Sequence, residues 1–488
     1  MTSLFKKYFK IYGRALTLLL SLSFTYANAE SPKDELIEKG EYLSILGDCM
    51  ACHTASNDKP YAGGLEFKMP MGTIVASNIT PSKQYGIGNW SKEDFSKAVK
   101  KGIRPDGSHL YPAMPYTAFA IINEEDITAL YHYFMKGVTP IDEALPITTQ
   151  LTFPFNLPGI MPIWNLLFTQ DSNLTYDLSL TESQNRGKYL VDGLTHCSTC
   201  HTPRNQFMAE DYQQYLGGGI ADGWHAPNIT SDKISGIGGW SQEELFTYLK
   251  TGRAFGKSSA AGPMADAIDY SFQHLKDEDL TAIVEYLQTI PPIANPEQKL
   301  PAYQYSNQET ITWSDFEQYP PHDNQSSFYR DDTTIDGALL YNAACATCHG
   351  IQGEGALDQS IPSLTQNSTV GRVDRTNLVL TILEGVHRKP TLNESITLMP
   401  AFSLEETEIF SWLSDEQIAA VTNYVTEHFG DGETTLSGVD IEIIKAGGNT
   451  PFLVKHASVI AMLGFIAGIL IIAIIGRFIF RRCSKRSS

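Results

Sequence analysis

Three stretches of the chain share one hydrophobic rhythm. In "EEDITALYHYF" (residues 124–134) the apolar face is Ile127, Leu130, Tyr131 and Phe134; in "DEDLTAIVEYL" (277–287) it is Leu280, Ile283, Val284 and Leu287. "DEQIAAVTNYV" (415–425) repeats it with Ile418, Val421 and Val425. Apolar positions at i, i+3, i+4 and i+7 predict amphipathic helices. Ser414 with Gln417 adds a capping box to the start of the third. Well upstream of each lies a shorter apolar run, "GEYLSILGDC" (40–49), "RGKYLVDGLTHC" (186–197) and "DGALLYNAAC" (336–345), read as a short helix running into a cysteine. No alternation of useful strand length stands between them, so an all-α fold is expected.

The rhythm belongs to a longer repeat. "NITPSKQYGIGNWSKEDFSKAVKKG" (78–102) aligns with "NITSDKISGIGGWSQEELFTYLKTG" (228–252), at the same offset that separates Met114 from Met264. Duplication at this scale marks tandem domains, placed at 31–140, 181–293 and 331–432. The third lacks the Asn-Ile-Thr and Gly-Ile-Gly-x-Trp block. Linkers occupy 141–180 and 294–330. The first includes "FPFNLPGIMPIWNLLF", too apolar for free coil and expected to pack across a domain or against a partner; the second reads as a wrapping connector. Asn78 and Asn228 head glycosylation sequons but are read as structural, and Trp90 and Trp240 are candidates to pack beside a cofactor edge.

Both ends depart from this pattern. Lys6, Lys7, Lys10 and Arg14 precede the apolar "ALTLLLSLSF" and the small-residue "ANA", a secretory signal peptide over residues 1–29. Residues 457–476 carry no charge and are long enough for a transmembrane helix, reached through a juxtamembrane segment at 433–456. Arg477, Arg481, Arg482, Lys485 and Arg486 follow in a tail, 477–488, that the positive-inside rule assigns to the cytoplasm. The rest of the chain is thereby expected on the periplasmic side of a bacterial inner membrane.

Composition adds two restrictions. The 488 residues are 42% hydrophobic and 19% charged, which suits folded domains. The net charge is −19 although neither basic end contains an acid, so the body between is more acidic still. Such a surface repels nucleic acid.

Six of the seven cysteines fall in three C-x-x-C-H units: Cys49, Cys52 and His53; Cys197, Cys200 and His201; Cys345, Cys348 and His349. Cys483 lies in the basic tail. A thioredoxin-like pair would need one such motif and no histidine, and zinc would need a fourth ligand. Covalent c-type haem attachment needs this spacing: two thiols one helical turn apart meet the two vinyl groups of one macrocycle, and the next imidazole meets the iron. Three covalently bound haem c groups are therefore expected.

A second axial ligand is expected from a methionine, since Met/His ligation suits electron transfer. Met114, Met264 and Met399 recur at equivalent places, each beside a proline expected to stiffen the presenting loop. His109, His225 and His387 are the rivals. No nucleophile–base pair, phosphate loop or dinucleotide fingerprint accompanies these units, so no catalytic residue is assigned.

The order "CMACH … NIT … GIGNW … YPAMPY", "HCSTCHTPRN … HAPNIT … GIGGW … GPMADA" and "CATCHG … LMPAF … LSDEQIAAVTNYV" resembles the triple-haem cytochrome c subunits of bacterial membrane-bound alcohol, gluconate, sorbitol and fructose dehydrogenases. The resemblance covers roughly residues 35–432. It implies three tandem class I cytochrome c-like domains with the cysteines as thioether sites, His53, His201 and His349 as proximal ligands and Met114, Met264 and Met399 as distal ones. It further implies an electron-transfer subunit, taking electrons from a catalytic subunit of PQQ, flavin or molybdopterin type and passing them to ubiquinone. A stand-alone membrane carrier feeding a terminal oxidase, and the cytochrome of a molybdenum-dependent aldehyde or N-heterocycle dehydrogenase, are the alternatives.

Overall fold

The computed structural model describes residues 34–169, 175–305, 334–357, 360–388, 397–403 and 412–484. The expected signal peptide, most of the second linker and the last four residues of the basic tail lie outside them.

The first unit runs α1 (Glu35–Leu46), α2 (Cys49–His53), a hairpin of β1 (Glu66–Met69) and β2 (Gly72–Val75), α3 (Lys92–Lys101), α4 (Tyr116–Phe119) and α5 (Glu124–His132). In the connector after it, β3 (Gln150–Leu151) joins the edge of β2 and α6 (Ile160–Phe168) follows. The second unit repeats the plan: α7 (Glu182–Tyr189), α8 (Ser198–His201), β4 (Gly219–Ala221), β5 (Trp224–Ala226), α9 (Gln242–Thr251), β6 (Arg253–Ala254), β7 (Ser258–Ser259), α10 (Gly262–Tyr270) and α11 (Asp277–Leu287). The third has α12 (Gly337–Ala344), α13 (Ala346–His349), α14 (Thr376–Glu384), β8 (Val386–Arg388), β9 (Thr397–Met399) and α15 (Asp415–Phe429). Two short helices, α16 (Gly438–Lys445) and α17 (Phe452–Lys455), lead into α18 (Ala457–Ser484).

Helix starts follow local chemistry. Capping boxes of Ser91 with Asp94, Ser241 with Glu244 and Ser414 with Gln417 satisfy the free amides that open α3, α9 and α15. In each unit the leading helix crosses the closing helix at a glycine. A Cβ on Gly40, Gly187 or Gly337 would overlap the carbonyl of Ala129, Ala282 or Ala420, so only glycine lets the two backbones approach this closely.

The all-α expectation needs correction in the loops. Antiparallel hairpins of two to four residues per strand join β1 to β2, β4 to β5, β6 to β7 and β8 to β9. Strands this short hold too few residues to write an alternation into the sequence. One left another mark: Asp222 and Gly223, both at positive φ, close the β4–β5 turn, and an Asp-Gly pair is a hairpin signal in its own right.

The first two units share one hydrophobic core, running from Leu43 and Ile127 to Ile283 and Ile290. Its polar seams are reciprocal. Tyr42 on α1 donates to Asp279 on α11 (2.7 Å), and Tyr189 on α7 donates to Asp126 on α5 (2.7 Å). Within its own unit each aspartate meets a cation, Lys39 for Asp126 (2.8 Å) and Arg186 for Asp279 (2.8 and 3.0 Å). Burial works against ionising Asp279, but the bonds from Arg186 and Tyr42 outweigh it and hold the pKa below the usual carboxylate value. The first linker does pack across a domain, as expected: Asn165 on α6 binds Tyr116 and His109 (both 2.8 Å), and Trp164 donates to the Phe207 carbonyl in the second unit (2.8 Å).

The third unit has its own core, which also takes in Trp224 of the second. Arg388 on β8 reaches back between the two, donating to the Thr251 carbonyl and to Asp269 on α10 (both 2.7 Å) in a nearly water-free ion pair. Gly252 ends α9 at positive φ, and a Cβ there would run into that guanidinium.

At the far end, Ala457–Arg477 is apolar enough to cross a membrane, and none of that span is buried within the chain.

Two measurements test these seams. Asp269→Ala leaves Arg388 buried without its partner and should cost about 3–5 kcal/mol in urea unfolding of the holoprotein. His196, packed edge-on to Phe119 and hydrogen-bonded to the Gly47 backbone, joins the first two units. Burial lowers its pKa from 6.5 to about 4. The unfolded chain therefore takes up this proton first, so the stability present above pH 6.5 is lost as pH falls toward 4. His196→Gln should remove about 2 kcal/mol of that loss at pH 5, seen as a smaller drop in Tm between pH 7 and pH 5.

Candidate functional site

The three C-x-x-C-H units fold alike. Each lies in one tight helical turn, α2, α8 or α13, directly after the leading helix. A turn of helix carries the two thiols along one side and brings the histidine round behind them. The six cysteines are unpaired. Burial pushes Cys49, Cys52 and Cys345 up to about 12, and Cys197 and Cys200 up to about 11. These are neutral thiols, not the depressed-pKa pairs of a redox-active disulfide.

In all three the imidazole is pinned through Nδ1. His53 donates to the Ser77 carbonyl (2.7 Å), His201 to that of Pro227 (2.6 Å) and His349 to that of Pro362 (3.1 Å). A carbonyl only accepts, so Nδ1 carries the proton and Nε2 keeps its lone pair for a metal. Burial lowers the pKa of each ring against the help of that bond, to about 4 for His201, which keeps the imidazoles neutral. Unpaired thiols one turn apart beside a neutral, oriented imidazole form the donor set that a covalently attached haem needs. Among the described residues no cluster of three or more His, Cys, Asp and Glu is assembled, as a zinc site would require.

The repeated Asn-Ile-Thr block is what holds the carbonyls. Ser77 and Pro227 immediately precede Asn78 and Asn228. Each asparagine accepts from its threonine, Thr80 or Thr230, through both N–H and hydroxyl (2.7–2.9 Å), and donates to Ile141 (3.0 Å) or Ile293 (2.6 Å) at the start of the next connector. Both asparagines and both threonines are buried. The structural reading of the two sequons is thus the one the contacts support.

The methionines are presented in three different ways, where one loop type was expected. Met114 precedes α4 in a loop. Met264 sits in the first turn of α10, because Pro263 at the start presets helical φ rather than a loop. Met399 ends β9, paired with Val386 of β8. Met114 and Met264 pack against the shared core together with Trp90, Trp240, Cys49 and Cys197, and Met399 packs with Cys345 against the third unit's core. Of the rival histidines, His109 accepts at Nδ1 from the Asn165 amide (2.8 Å), His225 faces Asp374 (3.3 Å) and His387 lies in the β8 strand against Leu398.

The shared core brings the first two sites face to face. Helix α2 packs on α10, the Met264 helix, while α4, just past Met114, packs on the turn Leu190–Leu194 that leads into Cys197. After burial and the charge of Asp48, Cys49 and Cys200 both add to the upward push on Cys52. Burial, and then the charge of Asp266 across the junction, push Asp48 well above the usual carboxylate range, and one of its oxygens is buried without a partner among the described residues. Sequence reading missed this residue, which has no motif to announce it.

Comparison with known proteins finds the cytochrome c family model matching residues 37–137, 184–291 and 335–428. The chain is 41% identical to the fructose dehydrogenase cytochrome subunit of Gluconobacter japonicus, across 99% of this chain and 100% of that one. It is 37% identical to the alcohol dehydrogenase (quinone) cytochrome c subunit of Gluconobacter oxydans (88% and 86% covered). It is 35% identical to the gluconate 2-dehydrogenase cytochrome c subunit of Pantoea cypripedii (88% and 94%).

Proposed function

We propose, for a chain that belongs to the cytochrome c family and carries three covalently bound haem c groups, that it is the electron-transfer subunit of a membrane-bound dehydrogenase. It takes electrons from a periplasmic catalytic subunit that oxidises an alcohol or sugar, and it delivers them to ubiquinone. The relatives' roles as cytochrome subunits of fructose, alcohol and gluconate dehydrogenases support the partner. The observation that carries the reading is the threefold pinned imidazole beside two unpaired thiols.

Cys49 with Cys52, Cys197 with Cys200 and Cys345 with Cys348 form the thioether bonds. His53, His201 and His349 would offer Nε2 to the iron, and Met114, Met264 and Met399 would supply the sulfur ligands. A haem held in this way would supply one-electron transfer with little rearrangement. The residues around it supply the rest. The carbonyls of Ser77, Pro227 and Pro362 keep each imidazole in one tautomer and orientation. The shared core keeps sites one and two at a constant separation. Helix α18 anchors the chain in the inner membrane with its haem domains on the periplasmic side, supported by its uncharged span and the arginines that follow.

Detergent extraction tests the role. The chain should co-purify with a large catalytic subunit, and that subunit's alcohol or sugar should reduce all three haems; a chain that elutes alone, reduced by no such substrate, overturns the reading. A pyridine-haemochrome assay should give three haems per chain. Met114→Ala should leave all three attached but let one of them bind carbon monoxide. A carbon monoxide spectrum unchanged from wild type would give that axial position to another side chain.

A further inference from the structure

One backbone frame recurs around all three imidazoles. Gly63, Gly218 and Gly355 donate their N–H groups to the carbonyls of His53, His201 and His349 (all 2.8 Å). Two residues earlier, Tyr61, Leu216 and Gly353, each at positive φ, accept from the amides of Ile79, Ile229 and Leu364 (2.9, 2.9 and 2.7 Å). Ile79 and Ile229 are the middle residues of the two Asn-Ile-Thr blocks, so the frame makes Leu364 the middle residue of their counterpart. Ser-Leu-Thr (363–365) therefore stands in the third unit where Asn-Ile-Thr stands in the others. It directly follows Pro362, as the blocks directly follow Ser77 and Pro227.

The side chains repeat the bonds of the blocks. Thr365 donates its N–H to the Ser363 hydroxyl (3.1 Å), as Thr80 and Thr230 donate theirs to the asparagine oxygens (2.9 and 2.8 Å). The Ser363 and Thr365 hydroxyls lie 2.8 Å apart. Ser363 gives its one proton to the Gly353 carbonyl (3.0 Å), so Thr365 is the donor between them, as the threonine is in both blocks (2.7 Å). The outer attachment differs. Asn78 and Thr80 grip Ile141 by its carbonyl (3.0 Å) and amide (3.1 Å), and Asn228 and Thr230 grip Ile293 in the same way (2.6 and 3.1 Å). Both isoleucines lie past the closing helix. Ser363 has no amide to extend that far and closes instead on Gly353, four residues after His349.

We infer that the hydroxyl pair of Ser363 and Thr365 positions the third haem's proximal ligand, by holding the Pro362 carbonyl against His349 Nδ1. The inference rests on the reading of Cys345, Cys348 and His349 as the third haem's attachment. Both are positioning residues, acting through Pro362 and His349. A carbonyl that accepts from Nδ1 makes Nε2 a stronger donor to iron and so favours the ferric state. The Pro362 bond, at 3.1 Å, is already the longest of the three, and its acceptor is tied to the haem turn alone. Loosening it further raises the potential of the third site.

The test uses the full, haem-loaded chain in detergent and a spectroelectrochemical titration resolved into three one-electron components. Met399→His marks the third site's component by displacing it. Thr365→Val removes the hydroxyl and keeps the side-chain shape. It should raise that component by about threefold in its reduction equilibrium constant, about 28 mV for one electron, and leave the other two in place. Thr365→Ser restores the hydroxyl and should return the potential to the wild-type value. Ser363→Ala is the second variant, should the valine form not accumulate, and should move the same component in the same direction. A marked component that stays unmoved or falls, a shift in a component that Met399→His leaves alone, or a Thr365→Ser shift as large as that of Thr365→Val overturns the inference. Fewer than three haems in the wild-type chain, or a Met399→His variant that displaces nothing, would instead sink the reading of the third site and the inference with it.

Discussion

An imidazole that gives its Nδ1 proton to a main-chain carbonyl has one nitrogen left to offer, in one direction. Everything else in the three sites is arranged around that bond. The leading helix delivers the two thiols and the histidine as a unit, but the acceptor comes from a separate loop. That loop must be held still, and in the first two units buried asparagine and threonine side chains hold it. The third unit lacks the asparagine latch, uses a proline carbonyl from a shorter loop, and makes the longest of the three bonds. The same chemistry is thus reached with less scaffolding where the duplicated block is missing.

The pairing of the first two units is a small symmetric assembly within one chain. Tyr42 and Asp279 on one side mirror Tyr189 and Asp126 on the other, each aspartate steadied by a basic residue from its own leading helix. An aspartate so placed is half satisfied at home and half by its neighbour, which ties the folding of each unit to the other. The third unit is joined differently: Arg388 reaches into Asp269, Asn377 brackets His225, and Trp224 of the second unit enters the third unit's separate core.

What could be read beforehand was whatever is written locally. The helices of 124–134, 277–287 and 415–425 show because one face must be apolar at every turn, and the haem turns show because their three residues are adjacent in the chain. The hairpins stayed hidden, being shorter than the pattern that would betray them, although Asp222-Gly223 was a usable sign. Helical presentation of Met264 was also within reach, since Pro263 favours a helix start. Nothing local could have paired Tyr42 with Asp279, or Arg388 with Asp269, because these residues meet only after distant segments have packed. Helices α16 and α17 are too short to raise a periodic signal above their polar surroundings.

One continuous interior beneath two redox centres has a mechanical meaning. Electron tunnelling weakens steeply with every added ångström, so a gap that breathes gives a spread of rates. Between sites one and two the gap is settled when the chain folds, because both are walls of the same packed solid. The third centre stands on a separate interior, entered from the second unit by Trp224, so its distance to the others is set at a junction between two packed bodies and not within one.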